Sequence, residues 1–308
     1  MIHWLKNLSA VAALAFVAAC GGGNDDPIDI VATASKDPQL SILAEAVTAA
    51  DLGATLSGPG PYTVFAPSNA AFAALLAELG ITKAQLLADK PLLTSVLTYH
   101  TVAGKVPKAA VPAGKAITTV QGGIFKVDAV GTGLVITDGR NRTANIVATD
   151  IAASNGVIHA IDKVLLPANR NIVETAAATP DFSILVEAVT AANLGATLSG
   201  TGPFTVFAPT NAAFADLLAE LNVTKDQLLA DTALLTKVLT YHVVAGRVLK
   251  ADVPVGAPIT TVQGETFSVS AALAITDRRA RVANITATDV LASNGVIHVV
   301  GKVILPAP

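Results

Sequence analysis

The chain repeats itself once at long range. Thr63-Val64-Phe65-Ala66-Pro67 returns as Thr205-Val206-Phe207-Ala208-Pro209, Leu97-Thr98-Tyr99-His100 as Leu239-Thr240-Tyr241-His242, and Ser154-Asn155-Gly156-Val157-Ile158-His159 as Ser293-Asn294-Gly295-Val296-Ile297-His298. The offset is 142 residues as far as Gly122 and Gly264 and 139 from Ile136 and Ile275 onward, so the second copy lacks three residues in between. A period this long is a whole domain, not a stacked unit of roughly 20–50 residues. The 308 residues therefore divide into two copies, each long enough to bury its own core. A deletion is tolerated best in a loop, which predicts one near Ala129 to Gly133.

Composition narrows the class. The chain is 52% hydrophobic but only 4% aromatic, with a net charge of −3. It is a globular chain built on Ala, Val and Leu, without the clustered Lys and Arg that nucleic-acid binding requires. The N-terminus differs from the rest. Lys6 precedes the apolar stretch Leu8 to Ala19, which ends in Val17-Ala18-Ala19, the pattern of a secretory signal over residues 1–19. Cys20 follows at once and is the only cysteine, so no structural disulfide is available. Beyond an incidental cysteine at a cleavage region, Val17-Ala18-Ala19-Cys20 resembles the bacterial lipoprotein box. That resemblance implies acylation of Cys20 and a membrane-lipid anchor. Residues 20–28, opening with Gly21-Gly22-Gly23-Asn24-Asp25-Asp26-Pro27, then form a flexible tether. At about 3.5 Å per residue it holds the first domain within roughly 30 Å of the membrane. Gly21 after the cysteine resembles the outer-membrane class of such lipoproteins.

Within each copy, helix signals come first. Asp29 and Asn171 are placed to cap helices, Leu40, Leu43 and Val47 make one apolar stripe, and Gly53 and Gly195 are expected to end that helix. Tyr62 to Phe65 reads as a strand, and Ser68 and Thr210 as N-caps of the next helix. Thr82-Lys83-Ala84-Gln85 and Thr224-Lys225-Asp226-Gln227 fit the capping box. After a helix from about Pro91 to Leu97 the pattern turns to strands: Ile117 to Val120, Phe125 to Val127, Leu134 to Thr137, Ala144 to Ala148 and Val157 to Leu166. Asp138-Gly139 marks a hairpin turn. Helices first and strands afterward, without βαβ alternation, indicate an α+β fold. Copies at 29–167 and 171–308 leave only Ala168, Asn169 and Arg170 between them, too short a junction for free tumbling.

Thr63 to Phe72, Tyr99-His100 and Asn155 to Pro167 resemble, in order and spacing, the motifs of the fasciclin domain, and the second copy repeats them. The resemblance covers the chain from about Asp29 to Pro308. It implies two tandem domains, each a β-wedge or sandwich flanked by N-terminal helices, in an extracellular or surface protein that mediates adhesion. In animal members, integrin binding is assigned around a Tyr-His motif and an Asp-Ile pair. Carried over, these are Tyr99, His100, Asp150 and Ile151 in the first copy, and Tyr241, His242, Asp289 and Val290 in the second, where Val290 departs from the pattern. A bacterial lipoprotein has no integrins of its own, so the partner does not transfer.

The chemistry-bearing residues have plainer readings beside these. His100 with His159 and His242 with His298 lie in apolar settings, without the converging Cys, Asp or Glu of a metal site, and read as buried rings bonded to backbone. After Glu45 and Glu187, Asp138, Asp150, Asp277 and Asp289 are the carboxylates most suggestive of function, but nothing in the spacing brings any two of them together as a glycosidase needs. Arg140 and Arg142, with Arg278, Arg279 and Arg281 in the second copy, flank the hairpin turn. Alternation on a strand would put them on one face, either as solvated edge charges or as a site for anionic sugars or phosphates. The expected function is a lipid-anchored envelope protein that binds an extracellular or envelope protein or glycan, without catalysis, cofactor, metal or nucleic acid. The alternatives are an envelope hydrolase, and an accessory protein for a small ligand or membrane complex.

Overall fold

A computed structural model describes residues 27–308. The predicted signal segment, Cys20 and most of the tether lie outside those residues. The first domain runs α1 (Ile30–Lys36), α2 (Ser41–Ala49), α3 (Gly53–Leu56), β1 (Tyr62–Pro67), α4 (Asn69–Leu79), α5 (Lys83–Ala88), α6 (Lys90–Tyr99), β2 (Thr101–Ala103), β3 (Ala116–Thr118), β4 (Ile124–Val130), β5 (Gly133–Thr137), β6 (Thr143–Ala153) and β7 (Gly156–Ile161). The second repeats it as α7 (Ile172–Ala177), α8 (Ser183–Ala191), α9 (Gly195–Leu198), β8 (Phe204–Pro209), α10 (Asn211–Leu221), α11 (Lys225–Ala230), α12 (Thr232–Tyr241), β9 (Val243–Ala245), β10 (Pro258–Thr260), β11 (Thr266–Val269), β12 (Ala274–Thr276), β13 (Val282–Ala292) and β14 (Gly295–Val300).

The capping signals act as their chemistry dictates. Asp29 accepts from the Ala32 amide, Ser68 from Ala71 and Thr210 from Ala213, and Thr82/Gln85 and Thr224/Gln227 close reciprocal capping boxes. One boundary differs from expectation. Helix α2 ends at Ala49, well before Gly53, and is closed off by Asp51, which takes the left-handed conformation (φ 55°) while the Leu52 amide reaches back to the Val47 carbonyl at 3.0 Å. Asn193 does the same in the second domain (φ 54°). Short polar side chains tolerate this region, so glycine is not needed there, and Gly53 and Gly195 instead begin α3 and α9.

Each domain has one seven-stranded sheet, ordered β2-β1-β7-β6-β5-β4-β3 in the first. Strands β1 and β7 are parallel, and the other pairings are antiparallel. Strand β6 pairs with β5 through its first residues and with β7 through the remainder, with register shifts between Ile146 and Ile151. Such bulges bend a strand and let the sheet curl. The curl is evident in the core, where Phe65 of β1 meets Phe125 of β4 edge to face, ring centres 5.0 Å apart, although three strands intervene in the sheet. Phe65, Tyr99, Phe125, Val127, Ile136 and Ile161 fill the inside of this wedge. Val64, Ala66 and Ile158 point the other way and pack under Leu40, Leu43, Val47, Phe72 and Leu97 of the helical layer. Alternation along β1 thus feeds two cores from one strand.

The three-residue deletion falls in the predicted loop region, where β4 and β5 meet at Gly131. Their counterparts β11 and β12 are shorter, so the loss trims a protruding hairpin. The final strand is also shorter than expected. Strand β7 stops at Ile161, because the Leu165 and Leu166 amides bond to His100 Nε2 and Asp138 Oδ2 instead of to a neighbouring strand.

Asn155 shows how the Asn-Gly-Val-Ile-His segment ties the domain together. Its Oδ1 accepts from the Ile30 amide at 2.9 Å, and its Nδ2 donates to the Leu56 and Gly58 carbonyls at 2.7 and 2.9 Å. Asn294 repeats all three bonds with Ile172, Leu198 and Gly200. Asn155→Ala leaves one donor and two acceptors unpaired and is expected to destabilise the first domain by about 2–4 kcal/mol, read from urea unfolding curves. A loss below about 0.5 kcal/mol would mean that solvent replaces these bonds.

The two domains contact each other asymmetrically. Ile124 and Ala116 of the first pack on Leu249, Leu291 and Val296 of the second. The Asn141 side chain accepts from the Leu291 amide at 2.7 Å and donates to its carbonyl at 3.0 Å, while Lys126 pairs with Asp289 at 3.0 Å and Lys115 with Asp252 at 3.4 Å. These positions are where the copies diverge. Lys115, Ile124, Lys126 and Asn141 correspond to Ala257, Thr266, Ser268 and Ala280, and Leu249, Asp252 and Leu291 correspond to Pro107, Ala110 and Ala152. Asp289 and Val296 are the exceptions, matching Asp150 and Val157 of the first domain.

Candidate functional site

The Tyr-His pair lies in the interior. Tyr99 is fully buried, donates its hydroxyl to the Ile124 carbonyl at 2.5 Å and meets Phe125 edge to face. Burial pushes the Tyr99 phenol well above its ordinary range and that of Tyr241 up to about 12. His100 bonds through Nδ1 to the Val96 carbonyl at 2.7 Å and accepts at Nε2 from the Leu165 amide at 2.9 Å. An amide donor at Nε2 leaves that nitrogen unprotonated, so the ring is the neutral Nδ1–H tautomer. His242 repeats the arrangement with Val238 and Ile304. Complete burial lowers the pKa of His100 and of His242 to about 4. Neither Tyr99 nor His100 can touch a partner, and the same holds for Tyr241 and His242. All four link helix α6 or α12 to the wedge core.

The second histidine of each copy supports the Asp-Ile element. His159 accepts at Nδ1 from the Asp150 amide at 3.2 Å and donates from Nε2 to the Val106 carbonyl at 2.9 Å. This fixes the bulge in β6 at Asp150, whose φ of 60° turns the chain outward. Asp150 Oδ1 then accepts from the Lys108 amide at 2.8 Å. Asp289 and His298 reproduce these bonds with Lys250 and Val248. The copies part at the surface. Asp150 is exposed and Ile151 half-buried, whereas Asp289 is only 5% exposed beneath Lys126 of the first domain. Of the two Asp-hydrophobic pairs, only Asp150-Ile151 presents its carboxylate to solvent.

The arginine candidates are placed differently from the strand reading. They lie in the turns between β5 and β6 and between β12 and β13, not on a strand. Buried Asp138 organises the first of these. Its Oδ1 accepts from the Arg140 and Arg142 amides, and its Oδ2 from the Leu166 amide and from Nε and Nη2 of Arg142. Arg142 continues to Glu78 and to the Val164 carbonyl, and Arg140 Nε donates to the Pro167 carbonyl. In the second domain Arg281 engages Glu220, Asp277 and the Val303 carbonyl, Arg279 the Pro306 carbonyl, and Arg278 lies 3.7 Å from Glu265. Asp138 and Asp277 hold the Arg142 and Arg281 guanidinium groups inward, while the exposed Arg140, Arg278 and Arg279 lie against the Pro167 carbonyl, Glu265 and the Pro306 carbonyl.

Among the described residues no group of three or more His, Cys, Asp or Glu is placed to hold a metal, and no helix is long and apolar enough to cross a membrane. One basic side chain that the sequence reading passed over stands apart. Arg247 lines a cavity of about 320 Å³ between the domains, together with Gln121, Gly123, Pro167, Ala168, Leu291 and Ser293, and its buried Nε has no hydrogen-bond partner. The one sequence signal for it is divergence, since the matching residue of the first copy is Lys105.

A family model for the fasciclin domain matches residues 38–167 and again residues 180–306. The chain is 31% identical over 255 residues to transforming growth factor-beta-induced protein ig-h3 of Sus scrofa, covering 82% of this chain and 35% of that protein. It thus spans about a third of that relative's length. Over shorter stretches it is 46% identical across 147 residues to protein sll1483 of Synechocystis sp. (46% of this chain, 76% of that one), and 36% identical across 155 residues to immunogenic protein MPB70 of Mycobacterium bovis (49% and 74%). A solved FAS1 domain pair from the insect cell adhesion molecule fasciclin I aligns at 19% identity with a TM-score of 0.43, covering 89% of this chain and 95% of that chain. With both halves matched in order and nearly end to end, the chain belongs to the fasciclin-domain family, as a tandem pair of such domains.

Proposed function

We propose that this protein is an adhesion or binding protein held at the cell envelope by a lipid on Cys20, and that it engages an envelope or extracellular protein or glycan through the exposed β6 bulge at Asp150. The observation that carries this reading is the fasciclin match in both halves, a family whose proteins are adhesion-related. The geometry supports a division of roles within this reading. Tyr-His and Asn-Gly-Val-Ile-His maintain the fold, and the Asp150-Ile151 bulge is held out by His159. Asp289 is paired with Lys126 at the domain interface instead, which supports the first domain as the binding one in this proposal.

The hydrolase alternative gains no support from the carboxylates singled out for it. Asp138 is buried with both oxygens bonded, and Asp289 is bonded to an amide and a lysine. Fractionation and capture test the proposal. Cys20→Ser should move the protein from the membrane pellet to the soluble fraction, and Asp150→Ala should lose the envelope material that the unaltered protein cross-links on intact cells. Unchanged pelleting would remove the lipid tether, and unchanged capture with Asp150→Ala would remove the Asp150 site.

A further inference from the structure

We infer that the crevice between the two domains is a binding site for a small organic carboxylate of the acidic-sugar class, received by Arg247. This goes beyond the adhesion reading and does not depend on it, because the crevice lies away from the Asp150 bulge and is built from both domains.

The cavity of about 320 Å³ can hold a monosaccharide-sized molecule with some water. Its walls come from the β3–β4 turn (Gln121, Gly123), the junction (Pro167, Ala168) and the second domain (Arg247, Leu291, Ser293), so it exists only when the domains are docked. Packing of Ile124 on Leu291 and the paired bonds of Asn141 to Leu291 hold it open at a set width.

Among the described residues Arg247 and the exposed Arg170 of the junction have guanidinium groups without a bonded partner, and of the two only Arg247 has a buried Nε. Arg140, Arg142, Arg278, Arg279 and Arg281 all bond to carboxylates or carbonyls, but Arg247 takes part in no ion pair or side-chain hydrogen bond among the described residues. No acidic residue lines the cavity. A half-buried guanidinium without a counter-charge lacks full hydration on one side and attracts an anion from solvent. Its planar fork matches a carboxylate. Ser293 and the Gln121 amide group line the same cavity and supply further donors suited to sugar hydroxyls, and Leu291 and Pro167 add apolar lining. The first domain has Lys105 at the matching position, exposed and without this enclosure, so one site per chain is expected.

Isothermal titration of the full two-domain protein with glucuronate at low ionic strength, with glucose and inorganic phosphate as separate arms, tests the site. Glucuronate should bind one to one, glucose should not bind, and phosphate should bind more weakly. Arg247→Gln should weaken glucuronate about ten- to hundredfold at an unchanged urea midpoint. Arg247→Lys retains the charge without the fork and should fall between the two; it also keeps the test decisive if Arg247→Gln does not fold. Absence of glucuronate binding, equal binding by the Arg247 variants, or phosphate binding more tightly than glucuronate would each overturn the assignment.

Discussion

Acidification from pH 6.5 to 4 should strip the protein of several kcal/mol of stability, much of it before ordinary carboxylates protonate. His100 and His242 are the cause. Each ring is completely buried, donates from Nδ1 to a helix carbonyl and accepts at Nε2 from an amide of the segment after the last strand. Burial depresses both folded-state values to about 4, against about 6.5 in an unfolded chain. Between these values the unfolded state binds protons that the native state refuses, so unfolding is favoured as pH falls. The contribution is intact above pH 6.5 and is lost progressively toward pH 4, about 3 kcal/mol for each ring. His298, also lowered by burial, acts in the same direction. Urea midpoints measured at pH 7, 5.5 and 4.2 should drop steeply, and a flat profile across that interval would show that the rings find another way to accommodate the proton.

Replacing Gly156 with alanine should be the most damaging single-methyl change in the first domain. A Cβ there would stand 2.0 Å from the Tyr62 carbonyl oxygen and 2.9 Å from Ile30 Cδ1. The obstacle is backbone of the parallel partner strand, not the free end of a side chain, so relief requires β1 and β7 to separate where Tyr62 pairs with Gly156. The expected cost is about 3–5 kcal/mol. Gly295→Ala, with its Cβ 2.0 Å from the Phe204 carbonyl oxygen, should act equally on the second domain. Gly53→Ala is the control, because a Cβ there meets nothing within 4 Å, and it should be neutral or slightly stabilising. If Gly156→Ala unfolds at the same urea concentration as Gly53→Ala, the close approach of β1 and β7 is not a constraint on the fold.

Much of this architecture was legible because its causes are local. A threonine three residues before a glutamine closes a capping box whatever surrounds it, and Thr82/Gln85 and Thr224/Gln227 do so. The Leu40, Leu43 and Val47 stripe is buried as its period requires. The histidines read as buried, backbone-bonded rings occupy those positions. The misread elements depend on distant partners. Gly53 resembled a helix stop, but Asp51 takes the left-handed position; the arginines resembled a strand face, but Asp138 draws their backbone and Arg142 inward.

The duplication, the two-domain count and the α+β class followed from the sequence by itself, since repetition, apolar period and caps are properties of neighbouring residues. Tertiary structure decided which copy of each motif remains available. Asp150 and Asp289 are the same residue in the same bulge, yet one faces solvent and the other lies beneath Lys126. Arg247 gained a crevice where Lys105 has none. The reason is physical: burial and charge pairing depend on which face of one domain rests on the other, and residues 163 apart along the chain, such as Lys126 and Asp289, come within 3.0 Å only after both domains have folded and docked.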